Sequence, residues 1–472
     1  MTFTKRTKII ATIGPASEKE DILEKMLSNG VDCVRLNLSH GDHQEHERKI
    51  KSIRKIDKKL KKHTAIIADI QGPKMRIGVM PKEGLMLKEG ETIILDCFKK
   101  EYTGDVIPLP SDTFMEGTEA GSKVFLDDGV LSLKIIKKDK SQFEAVVIKG
   151  GLLFSNKGIN VPSLVIKGSV LNEKDKSDIV FAEKSEVDYI ALSFLRDAKD
   201  VVEARDFIND KKIKIIAKIE RPEALRNIDE IIEAADAIMV ARGDLGIETP
   251  LWELPIRQKE IVEKVRSKFK PVIVATQMLD SMIRNPLPTR AEVSDVANAV
   301  YDSADAVMLS GETASGKNPL EAVEMMSKVL ESTESIQNYM GDSADTQGSP
   351  LLAIARSAAR ISSKLSTKSI FIETFAGESA RIISHFRPSN IIMALTPDHR
   401  TARQLSLVWG VVPFILKSKS IKRVNDIVSP VANELKSKGF LKEKDMVVCV
   451  YDSDFKFSEK ANVNTITIKL IE

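Results

Sequence analysis

The stretch KIIAKIERPEALRNIDEIIEAADAIMVARGD, residues 214–244, contains one complete unit of the fold. Residues 214–220 form a continuous apolar run rich in isoleucine, and residues 237–243 form another. Between them, residues 223–235 carry apolar side chains at the 3.6-residue spacing of an amphipathic helix. Continuous apolar strands separated by such helices are typical of parallel sheets. The stretch therefore predicts a strand, a helix and a second, parallel strand.

The same unit recurs on both sides of this stretch. Further apolar runs lie at residues 7–14, 32–39, 64–71, 188–194, 271–278 and 306–312, which brings the number of predicted strands to eight. Amphipathic stretches separate most of them. Eight such units predict a closed (β/α)₈ barrel, and an open doubly wound sheet is the alternative.

One interval between runs is too long for an ordinary connection. Over a hundred residues separate the third run from the fourth, and they contain short strand-like segments broken by Gly, Pro and Asp. We expect this interval, residues 73–168, to be an inserted, β-barrel-like lid domain. The barrel domain would then consist of residues 1–72 and 169–342. A polar linker, GDSADTQGSP (341–350), leads to a C-terminal α/β domain at residues 350–472.

Composition limits the classes of partner. The net charge is +3 over 472 residues, so we expect neither nucleic acid nor a membrane surface as a partner. Cys33, Cys97 and Cys449 are scattered, which argues against disulfides and zinc sites. The first residues lack the apolar run of a signal peptide, and we expect a cytoplasmic protein.

Polar side chains follow most of the barrel runs. In such barrels the carboxyl ends of the strands surround the active site. The candidates are Arg35, Asn37, Ser39 and His40, then Asp69 and Gln71, then Lys218 and Glu220, then Arg242 and Asp244, then Thr276 and Gln277, and finally Ser310 and Glu312.

Two of these carboxylates predict a metal site. Glu220 and Asp244 close neighbouring strands, and oxygen ligands without His or Cys favour Mg²⁺ or Mn²⁺. Lys218 shares the inward face with Glu220 because residues two apart on a strand point the same way. The alternative is that both acids only form ion pairs with Arg242 and Lys218. Neither a GxxxxGK[ST] loop nor a GxGxxG loop is present in the sequence.

At this point the sequence resembles the pyruvate kinase family over essentially the whole chain. The matching blocks, in the family's order, are TKIIATIGPAS (7–17), VRLNLSHG (34–41), ADIQGPKMRIG (68–78), IIAKIERPEAL (215–225), MVARGDLGIE (239–248), ATQMLDSM (275–282) with PTRAEVSDVANAV (288–300), and MLSGETASGKNPLEAV (308–323). The resemblance implies a barrel, a lid and a regulatory C-terminal domain in a homotetramer. It also implies phosphoryl transfer from phosphoenolpyruvate to ADP.

The resemblance assigns roles to individual residues. Glu220 and Asp244 match the ligands of the divalent metal, and Lys218 and Arg35 match residues beside the transferring phosphoryl group. Gly243, Asp244 and Thr276 match the site of the substrate carboxylate, and Ser310 with Glu312 matches a pair that helps to deliver a proton. The expected nucleotide contacts are Asn37, His40, Arg76 and Lys157, and Asp127 is the expected lid residue.

Two departures from the family pattern change what we expect. Many members bind K⁺, and here Asn37, Ser39 and Asp69 are kept while Ile70 replaces a Thr and Lys74 replaces a Glu. An ammonium group at Lys74 can take the place of the ion, so K⁺ should not be required.

The second departure lies in the C-terminal domain. Thr374 and Ser379 match an effector-phosphate loop, which implies a phosphorylated or nucleotide effector. Phe375 and Ala376 interrupt the usual small polar run, so we do not expect fructose 1,6-bisphosphate. Since the chain stops at residue 472, we expect no additional phosphotransfer-like domain.

The sequence is also compatible with two other functions. A Mg²⁺-dependent aldol lyase would use a similar barrel and metal pair, but it has no need for a lid or for Arg76 and Lys157. A non-catalytic metabolite sensor would be expected to lack metal or lysine positions that are present here.

Overall fold

The computed structural model describes residues 5–127, 129–162, 164, 168–337, 349–416, 424–454 and 463–472. Most of the predicted linker at residues 341–350 lies outside the described residues. Among the described helices, none is both long and apolar enough to cross a membrane.

The first part of the chain alternates strands and helices. The strands are β1 Lys8–Thr12, β2 Cys33–Asn37 and β3 Ala65–Asp69, and the helices are α1 Glu20–Ser28 and α2 His43–Leu60. Asp42 caps α2 by accepting a hydrogen bond from the amide of Glu45.

A set of shorter strands follows and forms separate sheets. They are β4 Met75–Arg76, β5 Leu85–Leu87, β6 Thr92–Asp96, β7 Val106–Pro108, β8 Lys123–Leu126, β9 Leu131–Asp139, β10 Gln142–Lys149, β11 Gly151–Leu153 and β12 Gly158–Asn160, with a short helix α3 at Asp112–Gly117. One sheet has the order β4-β12-β8-β9-β10-β6-β7, and β5 pairs with β11. Phe114 and Phe143 pack edge to face in the core of this insert.

The chain then returns to the barrel pattern. Its strands are β13 Tyr189–Leu192, β14 Lys214–Ile219, β15 Ala237–Ala241, β16 Val272–Ala275 and β17 Ala306–Leu309. The helices are α4 Glu173–Lys184, α5 Ala198–Phe207, α6 Pro222–Arg226, α7 Ile228–Ala234, α8 Arg242–Glu248, α9 Leu254–Ser267, α10 Arg290–Tyr301, α11 Gly311–Ala314 and α12 Pro319–Ile336. Short 3₁₀ turns occupy Leu251–Glu253 and Asp280–Ile283.

Eight parallel strands close into a barrel in the order β1-β17-β16-β15-β14-β13-β3-β2. Their residues are buried on both faces because helices cover the outside and side chains fill the interior. The prediction of a (β/α)₈ barrel is confirmed, and the open sheet is excluded. The observed strands lie within the predicted runs and are shorter by a few residues at their ends.

The last part of the chain forms a second α/β unit. Its helices are α13 Pro350–Lys364, α14 Glu378–His385, α15 His399–Leu405 and α16 Val424–Ser437, and its strands are β18 Ser369–Glu373, β19 Ile391–Thr396, β20 Val411–Ile415, β21 Met446–Tyr451 and β22 Thr465–Leu470. The sheet order is β20-β19-β18-β21-β22. Leu407 from this unit joins the apolar cluster inside the barrel.

Candidate active site

The carboxyl ends of the barrel strands gather charged side chains in one polar cleft. Twelve of the residues assigned a role from the sequence line it, namely Arg35, Asn37, Ser39, His40, Asp69, Lys74, Arg76, Asp127, Lys157, Lys218, Glu220 and Asp244. Residues at the carboxyl ends of β2, β3 and β14 line the cleft from the barrel, and the insert lines it with residues in β4, directly after β8 and at the start of β12. The topology therefore brings together residues that are up to 209 positions apart in sequence, from Arg35 to Asp244.

Lys218 is the centre of this cleft. Its ammonium nitrogen lies 2.9 Å from Glu220 Oε1, 3.2 Å from Asp69 Oδ1 and 2.7 Å from Ser193 Oγ. Asp69 also accepts a hydrogen bond of 2.5 Å from Arg35 Nε. Two cations and two carboxylates thus alternate in a buried network, which compensates the cost of removing each charge from water.

The burial of these groups shifts their pKa values in different directions. Burial opposes charge on Lys218, but Asp69 and Glu220 outweigh it and raise the pKa of this lysine. Burial also opposes charge on Asp69, whose pKa is nevertheless lowered by Arg35 and Lys218. The pKa of Glu220 is raised, first by burial and also by the nearby charge of Asp244, against the effect of Lys218. The charged form of Lys218 is therefore favoured, and an additional positive charge nearby would stabilise the ionised form of Glu220.

The donor set fits a divalent ion that is completed by substrate and water. Glu220 and Asp244 face the same cleft, and Asp244 is close enough to influence the pKa of Glu220. In the described part of the chain no group of three or more His, Cys, Asp and Glu side chains could hold a metal ion. Mg²⁺ commonly uses one or two carboxylates together with waters and substrate phosphates. Two carboxylates without a third protein ligand therefore suit Mg²⁺ better than Zn²⁺.

The ammonium group of Lys74 forms an ion pair with Asp244, one member of this carboxylate pair. Its ammonium nitrogen lies 3.2 Å from Asp244 Oδ1 and 5.6 Å from the centre of the Phe194 ring. The carbonyl of Ile70 accepts a hydrogen bond of 2.8 Å from Ser193 Oγ, and Asn37 Oδ1 accepts one of 3.2 Å from the amide of Ser39. The cleft therefore already holds a fixed cation next to the candidate monovalent site.

A tight turn after β16 supports the start of α8. Thr276 has a positive φ of 68°, which is unusual for a β-branched residue, and its hydroxyl accepts a 2.7 Å hydrogen bond from the amide of Gly243. The helix begins at Arg242. Gly243 and Asp244 consequently lie in the first helical turn, where backbone amides lack intrahelical partners.

The guanidinium group of Arg242 has a structural role. It lies 2.7 Å from Asp295 Oδ2 and donates a 2.8 Å hydrogen bond to the carbonyl of Thr276. The alternative in which Glu220 and Asp244 pair only with Arg242 and Lys218 holds for one contact, since Lys218 does pair with Glu220. Arg242 instead fixes the strained turn that carries Thr276.

Ser310 and Glu312 lie beside this cleft at the end of β17. The carboxylate of Glu312 is buried and accepts hydrogen bonds from the amides of Ser310 (2.7 Å) and Leu279 (3.1 Å). Burial raises the pKa of Glu312. The hydroxyl of Ser310 is buried without a hydrogen-bond partner among the described residues, which leaves it available to a bound molecule or water.

Cationic groups line the side of the cleft next to the insert. Lys157 lies 2.7 Å from Asp127 Oδ1, and Arg76 donates a 3.0 Å hydrogen bond to the carbonyl of Asn156. Burial lowers the pKa of His40, and the charges of Arg76 and Arg35 lower it further. A second cleft, lined by Asn37, His40 and Ser310 among others, adjoins this side.

Sequence reasoning missed several residues of the site. Ser193 contacts Lys218, Asp69 and the Ile70 carbonyl, and the amide of Phe194 donates a 2.7 Å hydrogen bond to Glu220 Oε2. Both residues follow β13, the one barrel strand after β1 for which no polar end was named. Their position was the available signal, because β13 lies between β14 and β3 in the barrel and the ends of both neighbours line the same cleft.

The two candidate effector residues lie in the C-terminal unit, away from this cleft. Ser379 donates a 2.9 Å hydrogen bond to the carbonyl of Glu373, and the hydroxyl of Thr374 accepts one of 3.0 Å from the amide of Gly377. Both side chains are buried. Their assignment to an effector site remains a prediction.

Two family models match the chain. The model described as pyruvate kinase, barrel domain, matches residues 4–323. The model described as pyruvate kinase, alpha/beta domain, matches residues 352–468. Together the two matches include the barrel with its insert and the C-terminal unit.

Curated relatives agree with these models. A pyruvate kinase of Staphylococcus haemolyticus is 40% identical over 99% of this chain and 80% of the relative. One of Sporosarcina psychrophila is 40% identical over 94% of this chain and 77% of the relative. One of Staphylococcus aureus is 42% identical over 88% of this chain and 72% of the relative.

Proposed function

The chain belongs to the pyruvate kinase family of phosphotransferases, and from that premise we propose how its residues transfer the phosphoryl group of phosphoenolpyruvate to ADP. The observation that supports the proposal most strongly is the network of Lys218, Glu220 and Asp69 at the barrel mouth, with Asp244 beside it. Fixed positive charge at such a site would stabilise the negative charge that develops as the phosphoryl group leaves.

The metal-binding part of the proposal concerns Glu220 and Asp244. These carboxylates would hold Mg²⁺ or Mn²⁺, which when bound neutralises phosphoryl and enolate oxygens. Lys218 donates to the same developing charge, and Arg35 binds phosphoryl oxygens with its guanidinium group. Thr276 and the amides at the start of α8 orient the carboxylate of the substrate.

The proton-delivery part concerns Ser310. After the phosphoryl group leaves phosphoenolpyruvate, the enolate carbon must gain one proton to give pyruvate. We propose that the hydroxyl of Ser310, which has no hydrogen-bond partner among the described residues, passes a proton from water; the hydrogen bond from the Ser310 amide to Glu312 supports this role by holding the backbone of Ser310.

The nucleotide part concerns the cationic side of the cleft. We infer that Asn37, His40, Arg76 and Lys157 contact the phosphates of ADP, and that Asp127 closes on the site with the lid, residues 73–168. Closure excludes water from the donor.

Lys74 supports independence from K⁺. Its ammonium group already neutralises part of the cleft next to Asn37, Ser39 and Asp69. We expect K⁺ to change the initial rate by less than about twofold at saturating Mg²⁺, and Lys74→Glu to create a requirement for K⁺. Rates in KCl and in tetramethylammonium chloride at equal ionic strength decide between these outcomes. A large K⁺ activation of the parent protein would refute the idea.

The remaining parts of the proposal concern assembly, regulation and location. We propose a homotetramer, regulated by a phosphorylated or nucleotide effector at the loop of Thr374 and Ser379. We also propose a cytoplasmic location, without nucleic acid or membrane partners. The free, buried Cys33, Cys97 and Cys449 suit a reducing compartment.

A coupled assay tests the function directly. We expect pyruvate to form from phosphoenolpyruvate only when both ADP and Mg²⁺ are present, and EDTA to abolish the activity. Cleavage of a 2-oxo acid without ADP would support the aldol lyase instead, and the absence of any turnover would support the metabolite sensor.

A further inference from the structure

A hydrogen bond joins the returning strand of the insert to helix α8. Asn160 ends β12, the last strand of the insert, and Glu248 ends α8. Asn160 Nδ2 lies 3.2 Å from Glu248 Oε1, and both side chains are buried. Glu248 lies one helical turn after Asp244, so a shift of one end of this short helix displaces the other.

A second hydrogen bond holds the same returning segment a few residues later. Arg221 is buried and donates a 2.6 Å hydrogen bond from Nη2 to the carbonyl of Leu164. Glu223 fixes the guanidinium group from the other side, at 3.2 Å from Nε. The last residues of the insert therefore form hydrogen bonds with residues near both metal-ligand candidates. Arg221 is next to Glu220 in the sequence, and Glu248 lies one helical turn from Asp244.

The contact between Asn160 and Glu248 is incompletely bonded. Asn160 Oδ1 and Glu248 Oε2 are buried, and neither has a hydrogen-bond partner among the described residues. Leaving a buried polar atom unpaired costs free energy, so this contact is weaker than a fully bonded one. A hold of limited strength suits a segment that has to move when the insert opens and closes.

We propose that Glu248 and Arg221 are positioning residues that tie the returning strand of the lid to the two segments carrying Glu220 and Asp244. The inference rests on the metal site and the lid proposed above. It adds that the orientation of the lid and the arrangement of the two carboxylates are set together. Such coupling is reciprocal, so a metal ion bound between the carboxylates restrains the lid exit.

Hydrogen exchange of the metal-free protein tests the tie itself. Glu248→Ala removes the acceptor of Asn160, and we expect the peptide covering residues 158–164 to exchange about fivefold faster, as for the loss of one hydrogen bond. Glu248→Gln keeps an acceptor and should exchange at the parent rate. Glu263→Gln, at an exposed position on α9, is the matched control. Equal exchange in the parent and Glu248→Ala, or equally fast exchange in the Ala and Gln variants, would overturn the proposal.

Addition of Mn²⁺ tests the coupling. We expect Mn²⁺ to slow exchange of residues 158–164 in the parent and to have less effect in Glu248→Ala and in Arg221→Ala. A parent protein that binds Mn²⁺, measured by electron paramagnetic resonance, without any change in this peptide would disprove the coupling. A parent that does not bind Mn²⁺ would refute the metal site proposed above, and the metal-free comparison would still decide whether the tie exists.

Discussion

At the scale of single residues, the ammonium group of Lys218 is a buried charge that needs compensating partners. Its ammonium group contacts Asp69, Ser193 and Glu220 and is almost fully removed from water. A lysine in such a place is stabilised as a cation only because the carboxylates outweigh the cost of burial. We propose that the same positive charge acts on the phosphoryl group and the enolate oxygen.

Replacing this lysine should affect both chemistry and folding, because Asp69 and Glu220 would lose a buried counter-charge. We expect Lys218→Met to lower kcat by about 10²- to 10³-fold, the usual loss when a preorganised electrostatic group is removed. Lys214→Met, at the opposite end of β14, is the matched control and should retain kcat within about threefold. Steady-state rates with both substrates saturating provide the measurement, and equal losses in the two variants would contradict the assignment.

The buried carboxyl group of Glu373 should make the free energy of unfolding depend on pH. Burial raises the pKa of this carboxyl from 4.5 to about 7. Because the folded-state value is higher than the unfolded one, the folded protein binds the proton more tightly. This contribution to stability is complete below pH 4.5 and is lost as the pH rises through about 7.

Glu373→Gln removes this dependence. We expect the variant to melt at about the same temperature as the parent near pH 4.5 and at a higher temperature near pH 8. At pH 8 its free energy of unfolding should exceed that of the parent by about 2 kcal/mol. Thermal unfolding followed by circular dichroism across this range is the measurement. A variant that is less stable than the parent at pH 8 would show that the ionised carboxylate is well accommodated.

At the scale of secondary-structure elements, the turn between β16 and α8 connects sequence to chemistry. Thr276 holds an unfavourable positive φ because Arg242 binds its carbonyl and its hydroxyl binds the Gly243 amide. The turn thereby fixes the Thr276 hydroxyl against the first amides of α8, which we propose bind the substrate carboxylate.

The hydroxyl in this turn can be tested separately from its shape. Thr276→Val keeps the branched side chain and loses the hydrogen bond, and we expect kcat/KM for phosphoenolpyruvate to fall by about 10- to 100-fold. Thr276→Ser keeps the hydroxyl, and its kcat/KM for phosphoenolpyruvate should fall by less than about fivefold. If Val and Ser variants behave alike, the hydroxyl has no role in substrate binding.

Much of the architecture at this scale followed from the sequence. All eight barrel strands were predicted because parallel strands are buried on both faces and appear as uninterrupted apolar runs. Strand β22 is harder to recognise from the sequence, although its residues TITIKL alternate, because it is an exposed edge strand with weak hydrophobic contrast. Such a strand gains its structure from pairing with β21.

The sequence predicted which residues form the site better than it predicted the contacts between them. The positions of Lys218, Glu220 and Asp244 followed from strand ends, because topology brings those ends together. The partner of Arg242 is Asp295, on α10, and the partners of Lys218 include Ser193. Neither contact is local in sequence, so only the packed structure decides which acceptor each donor reaches.

At the scale of the whole molecule, buried and exposed ion pairs connect the barrel to the C-terminal unit. Arg387 lies 2.9 Å from Asp305 Oδ1, donates to the carbonyl of Ser303 and stacks over the Trp409 ring at 4.6 Å. Arg403 lies 2.7 Å from Asp188 Oδ1. Leu407 packs into the apolar cluster within the barrel. The two units therefore share buried contacts.

The buried pair should dominate the stability of this interface. We expect Arg387→Met to destabilise the protein by about 3 kcal/mol, because Asp305 would be left buried with an uncompensated charge. Lys212→Met breaks an exposed pair with Asp398 across the same interface and should cost at most about 1 kcal/mol. Urea denaturation of both variants provides the comparison, and equal losses would mean that the burial of the pair is unimportant.

The central claim is that Glu220, with Asp244, holds a divalent ion beside Lys218 during phosphoryl transfer. The most direct measurement is the rate of pyruvate formation from phosphoenolpyruvate and ADP by Glu220→Gln at saturating Mg²⁺. Glutamine retains an acceptor for the amide of Phe194 and preserves the side-chain volume. We predict a loss of about 100-fold or more in a variant whose melting curve shows that it is folded. A folded variant that works within about twofold of the parent would contradict the account.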